Sequence, residues 1–187
     1  MQVSVRARAR RDRAGHTLLE ATIALGVMLL AVLAYSRSVT GGVRDQAGLT
    51  ERTTALNAAR EMLETLRGTD FAQVYALYNG NDADDPGGAG TAFGDGFAID
   101  GLLPQAGDAD GLPGRILFPE GPVGNDLRED LVLPQFGLPY DLNASGDIQA
   151  APVNADYQLL PVRVRVEWTG SNGDQELEVR TWLAASI

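Results

Sequence analysis

The chain contains no cysteine, no lysine and only one histidine. Without cysteine there is no disulfide framework and no thiolate metal site. The single histidine, His16, opens an apolar run, so a serine or cysteine nucleophile has no histidine base to form a triad. Carboxylates are abundant, but no spacing singles out one as acid and another as base. The sequence therefore reads as that of a protein without intrinsic enzymatic activity. All fifteen basic residues are arginine, and five of them (Arg6, Arg8, Arg10, Arg11 and Arg13) lie in the first fifteen positions. With one aspartate in that stretch the leader is +4, which leaves −14 for residues 16–187 of a chain whose net charge is −10. A body this acidic is repelled by phosphate backbones and shows no basic stripe, which sets nucleic-acid binding aside.

Long apolar runs are also scarce, with one exception. From Leu18 to Tyr35 the residues are dominated by Leu, Ile, Val, Met and Ala, interrupted by one charge, Glu20. At about 1.5 Å per residue, a helix of roughly 20 such residues spans a bilayer core of about 30 Å. The arginines before it would stay on the cytoplasmic side. The run also fits the apolar region of a secretory signal, with Val32-Leu33-Ala34 offering a cleavage site before Tyr35. Two alternatives are thus a secreted soluble domain, with a calcium-dependent binding module as one form of it, and a single-span protein that keeps its leader and never assembles.

Helical character continues beyond the run. No proline occurs from Ser36 to Arg67, and Leu49, Leu56, Ala59, Met62, Leu63 and Leu66 fall at spacings of three, four and seven, the pattern of an apolar stripe facing a partner. Glu51, Arg52, Arg60, Glu61, Glu64 and Arg67 form the polar side, with Arg60 and Glu64 four apart. Gly68 is a natural stop. Residues 17–67 could thus form one helix of about 75 Å, with Gly41-Gly42 the place for a bend or a local loss of helix.

Glu20 needs an explanation, because a carboxylate inside a span costs about 2.5–3.5 kcal/mol and calls for a partner. One reading is a capping box, with Thr17 as N-cap and Glu20 returning to its amide. Another is a cut after Gly15, which frees the α-amino group of His16 four residues from Glu20. Here "RAGHTLLEATIALGVMLLAV" resembles the signal of type IV pilins and type II secretion pseudopilins: a basic leader, a glycine, a glutamate at the fifth mature position and a long apolar helix. His16 departs from the phenylalanine or methionine usual there. The resemblance implies cleavage by a prepilin peptidase between Gly15 and His16, N-methylation of His16, and pairing of Glu20 with the amine of a neighbouring subunit during assembly. The implied partners are that peptidase, other pilin or pseudopilin subunits, an inner-membrane assembly platform and membrane lipid. The precursor would sit in the inner membrane with its head in the periplasm before joining a pilus or pseudopilus.

Residues 68–187 form the expected head. "YNGNDADDPGGAGTAFGDG" (78–96) predicts an irregular exposed loop, and short strands are expected at Arg115–Phe118 and Leu131–Leu133. In the C-terminal segment, Val162, Val164, Val166 and Trp168 alternate with charged residues, as do Leu177, Val179, Thr181 and Leu183, with "TGSNGD" between. This predicts an antiparallel hairpin over 157–184 whose inner face the 49–66 stripe covers. The fold class is α+β, a long N-terminal helix packed on a small C-terminal sheet. The pair "VRVRVEW…ELEVRTWL" also resembles the ends of minor pilins and minor pseudopilins of the PilV and GspI kind, and with the glycine-rich loop favours a minor subunit.

One cation candidate remains. In "DLNASGDIQA", Asp141, Asn143 and Ser145 take the first, third and fifth places of a calcium loop, followed by Gly146, Asp147 and Ile148. The twelfth place is Pro152, so Ca²⁺ would have to take a carboxylate from elsewhere, such as Asp147 or Asp156. The preferred reading is an Asx-type turn closed by glycine.

Overall fold

A computed structural model describes residues 13–122 and 126–185, with side chains from residue 17 onward. It divides into two compact units, residues 1–45 and 46–187. Helix α1 (Arg13–Gly68) is the longest element. Helical geometry runs unbroken through Gly41 and Gly42, so the local loss of helix expected there does not occur. Glycine's intrinsic cost is only about 1 kcal/mol per residue, and the helix carries it. The chain stops being helical at Gly68 as expected, and a short helix, α2 (Phe71–Tyr78), follows. Asp70 caps it, its carboxylate accepting from the amide of Ala72 at 3.3 Å. This helix has no counterpart in the sequence reading, because eight residues give too few turns for a period to show.

Within residues 46–187 the sheet has four antiparallel strands in the order β1 (Gly96–Phe97), β2 (Gly114–Leu117), β3 (Leu159–Gly170) and β4 (Gly173–Ala184). The hairpin β3–β4 pairs from Leu159↔Ala184 to Gly170↔Gly173. Its connection is only Ser171 and Asn172, tighter than the six-residue turn expected, with Gly173 taking the left-handed backbone (φ 91°) that the return requires. β2 coincides with the Arg115–Phe118 expectation to within one residue. The Leu131–Leu133 strand does not form. Pro134 begins a 3₁₀ turn (Pro134–Phe136) there, and Val132 is exposed.

Alternation on β3 sends Val162, Val164, Val166 and Trp168 into the core, where they share a cluster with Ala55, Ala59, Leu63 and Leu66 of α1. The covering stripe is therefore 55, 59, 63 and 66. Leu49, expected on it, is 67% exposed, and Leu56 and Met62 are only partly buried. Ala55 and Ala59 are fully buried there and Leu63 and Leu66 nearly so, so the stripe combines small and large apolar side chains. Tyr75 and Val74 of α2 close the same core. Arg60 is not the ion partner of Glu64. That partner is Arg67, at 2.6 Å and well exposed, a contact of small energetic weight.

The outer sheet face is charged. The register sets Arg163 opposite Arg180 and Glu167 opposite Glu176, both unfavourable on their own. Glu178 relieves the arginines by taking a diagonal, two-pronged contact with Arg163. The Arg163 guanidinium also lies 5.0 Å from the Phe136 ring centroid.

Candidate functional site

The apolar run occupies the first part of α1. The helix from Thr17 is long and apolar enough to cross a membrane, with mean hydropathy 2.2 over its most apolar 18 residues and none of them buried. Leu18, Leu25, Met28, Leu30 and Tyr35 are all more than 60% exposed. Glu20 is the only charged side chain from Thr17 to Ser36, and it too is exposed. Because α1 begins at Arg13, Thr17 lies more than a turn inside the helix and cannot be its N-cap. The capping-box reading of Thr17 and Glu20 therefore falls.

The backbone of Gly15 and His16 belongs to the first turn of α1. His16 and Glu20 are four residues apart, hence one above the other on the same helix face, about 6 Å along the axis. A chain opened between Gly15 and His16 would place a cationic amine one turn from this carboxylate, with Glu20 the fifth residue of the shortened helix. Arg6, Arg8, Arg10 and Arg11 of the leader lie outside the described residues.

The second candidate, Asp141 to Asp147, is held by its own backbone. Asp141 accepts from the amide of Ser145 at 3.1 Å and of Gly146 at 2.7 Å, and Asn143 Oδ1 accepts from the same Ser145 amide at 3.1 Å. Ser145 Oγ donates to the carbonyl of Asp147 at 3.0 Å and accepts from Gln149 at 2.8 Å. Asn143 donates to Asp156 at 3.1 Å. Asp141, Asn143 and Ser145 are thus brought together with Asp156, and Asp147 joins through its carbonyl. Ala144 (φ 56°) and Gly146 (φ 95°) provide the left-handed steps of this Asx-type turn. Among the described residues, no group of three or more His, Cys, Asp or Glu side chains is placed to hold a metal ion.

Other polar groups that organise the head have no sequence signal. Glu129 is fully buried and accepts from the amides of Leu142 at 2.8 Å and Gln149 at 2.6 Å, so one carboxylate ties both ends of the 141–149 turn to the core. Tyr157 donates to the carbonyl of Phe71 at 2.6 Å and accepts from the amide of Tyr75 at 3.3 Å, fixing α2. Beside it, Tyr75 and Glu120 share a hydrogen bond. Burial, with the nearby Asp95 and Asp84 carboxylates, pushes the Glu120 pKa up to about 7, and burial raises the Tyr75 phenol as well. Asn79, 3% exposed, holds Asp84 at 2.9 Å. Glu51 departs from its expected place on the polar side of the helix. Its carboxylate accepts from the Trp168 indole at 3.4 Å and from the Ser171 amide at 3.1 Å, clamping the hairpin turn to α1.

Comparison of the chain with protein-family models, with curated proteins and with solved structures returns no match.

Proposed function

We propose that this chain is a structural subunit of a type IV pilus or type II secretion pseudopilus, cut between Gly15 and His16 and assembled through α1. The observation that carries the reading is the composition of α1 along its length. One helix is apolar and unburied over residues 18–35, carries a single carboxylate one turn after the Gly15-His16 step, and contributes Ala55, Ala59, Leu63 and Leu66 to the core of the head. A helix that is both membrane segment and core element suits a protein drawn from a bilayer into a bundle of like helices.

In this reading the prepilin peptidase removes the +4 leader, which would otherwise hold the helix start at the cytoplasmic face. Glu20 then pairs with the α-amino group of His16 on a neighbouring subunit, as an unpaired carboxylate in an apolar bundle is strongly disfavoured. The partners are the peptidase, the inner-membrane assembly platform and other subunits, with the head in the periplasm before assembly.

The test is intact-mass and N-terminal peptide analysis of the protein from native membranes, with filament incorporation of Glu20→Ala. A mature end at His16, carrying an extra methyl, with loss of incorporation in the variant, is the expected result. An end at Tyr35 would reject assembly, because the membrane segment would be gone. An intact leader would identify a non-assembling anchor instead.

A further inference from the structure

Strand β4 is an edge of the sheet, paired only with β3. The Ala185 amide donates to the Gln158 carbonyl on the β3 side, whereas Glu167 and Thr169 of β3 donate to Pro113 and Leu103 on the opposite side. Backbone groups alternate in direction along a strand, so the odd-numbered residues of β4 bond to β3. Glu176, Glu178, Arg180 and Trp182 therefore turn their N–H and C=O groups outward, and among the described residues these groups meet no partner.

An open edge invites another chain unless charge blunts it. The first part of β4 is blunted by side chains already engaged with β3: Asp174 accepts from Thr169, Glu178 accepts from Arg163, and Glu176 lies 3.5 Å from Arg165. The last part differs. Arg180 is exposed and, among the described residues, has neither an ion pair nor a hydrogen bond. Trp182 is also exposed, its ring edge-on to Tyr140 with centroids 5.2 Å apart.

A cavity lies on each side of this open stretch. On the helix side, a groove of about 650 Å³ runs between Leu66, Phe71 and Ala72 and the strand end at Trp182, Leu183 and Ala184. On the outer face, a cleft of about 190 Å³ is lined by Phe136, Gly137, Pro161, Arg180 and Trp182, with room for a single side chain.

We propose that the 180–184 stretch of β4 takes up an extended segment of another protein as an added strand, with a carboxylate of that segment on Arg180 and an apolar side chain in the groove. Successive side chains of a strand point to opposite faces, which matches the cleft and the groove in alternation. The free backbone edge supplies the main-chain hydrogen bonds, and the two cavities select the sequence. Charge complementarity picks the acid. Glu178 already neutralises Arg163, so Arg180 is the cation left over, and a guanidinium holds a carboxylate through two hydrogen bonds.

A second copy of this chain does not fit the edge. α1 follows β4 in the same direction, since Glu51 meets Ser171 just before the strand and Arg67 meets Thr181 Oγ1 at 3.5 Å near its end. Two β4 edges paired antiparallel would set the 46–68 parts of two helices in opposite directions, which does not suit two chains anchored in one bilayer. Paired parallel and in register, they would bring Arg180 against Arg180. The antiparallel exclusion rests on α1 spanning a membrane, and the remainder stands on the head alone.

The test uses the full chain in detergent micelles and the peptide Thr-Val-Glu-Val-Thr, carrying fluorescein at its N-terminus and an amide at its C-terminus, with binding read by fluorescence anisotropy. Saturable binding is expected, weakened about tenfold by Arg180→Gln, partly kept in Arg180→Lys, and lost for the same peptide N-methylated on its three central residues. Because Arg180 is exposed, Arg180→Gln should unfold at the same denaturant concentration as the native chain, which separates lost binding from lost folding. No binding by the native chain, or equal binding by Arg180→Gln, would overturn the proposal. Equal binding of the N-methylated peptide would overturn strand addition and leave only a side-chain anion site. A dimer in micelles that Arg180→Gln dissociates would also overturn it, by assigning the edge to a second copy.

Discussion

Glu129 and Glu120 show how differently two carboxylates in one head can be used. Glu129 is buried but meets two backbone amides, so its desolvated carboxyl oxygens keep hydrogen-bond partners. Glu129→Ala should lower the unfolding free energy by roughly 1–3 kcal/mol, because the buried Leu142 amide and the part-buried Gln149 amide lose their acceptor. Chemical denaturation of the full chain in detergent measures this, and Asp141→Ala, at an exposed turn, should cost less. Glu120 instead has a folded pKa of about 7, above its ordinary 4.5, chiefly through burial. The folded state therefore binds the extra proton between those values, and stability should fall as pH rises from about 5 to above 7. Glu178 has the opposite shift, held down by its hydrogen bond to Arg163, so its contribution is lost only as pH falls through the acid range. A denaturation midpoint that declines between pH 5 and 7.5 in the native chain and stays level in Glu120→Gln would identify Glu120 as the source.

At the scale of elements, the contact between α1 and the β3–β4 turn is both steric and polar. A Cβ at Gly170 would collide with the Glu51 carboxylate and approach the Trp168 indole nitrogen to 2.9 Å. Glu51→Ala should cost roughly 1–2 kcal/mol by removing the acceptor of a buried indole. Gly170→Ala should cost a similar amount by displacing the same carboxylate. Because both changes break one contact, the double variant should be less destabilised than the sum of the singles, and a double-mutant cycle measures the coupling. Leu63→Ala acts through packing instead. Leu63 is 5% exposed in the core shared by helix and sheet, so a loss of about 2–5 kcal/mol is expected, with no coupling to Gly170→Ala.

For the whole molecule, every core residue among the described residues lies after position 54, while Leu18, Ile23, Leu25, Val27, Met28, Leu29 and their neighbours leave a long apolar surface uncovered. These two properties separate along the chain at residues 45 and 46. Residues 46–187 alone should therefore remain soluble without detergent and keep the pH response of Glu120, whereas the full chain should partition into membranes. Sedimentation with vesicles and a pH series on the truncated chain check both.

Much of the architecture depends on local pattern and was legible without coordinates. The 18–35 run, the Gly68 stop, the β2 segment and the alternation of Val162, Val164, Val166 and Trp168 each follow from side-chain order within one element. So does the spacing of His16 and Glu20, which is fixed by helix geometry. Tertiary structure decided what depends on residues far apart in sequence. Glu51 meets Ser171 across 120 positions and Tyr157 meets Phe71 across 86; no period or turn signal encodes such pairs. The same holds for Glu129, whose charged run looks like surface until the 141–149 turn folds over it. The sequence specified which segments are helical, extended or apolar, because backbone geometry and burial patterns are local. Only the folded chain determined which polar groups are buried with partners, because desolvation and hydrogen-bond satisfaction depend on what the rest of the molecule brings to them.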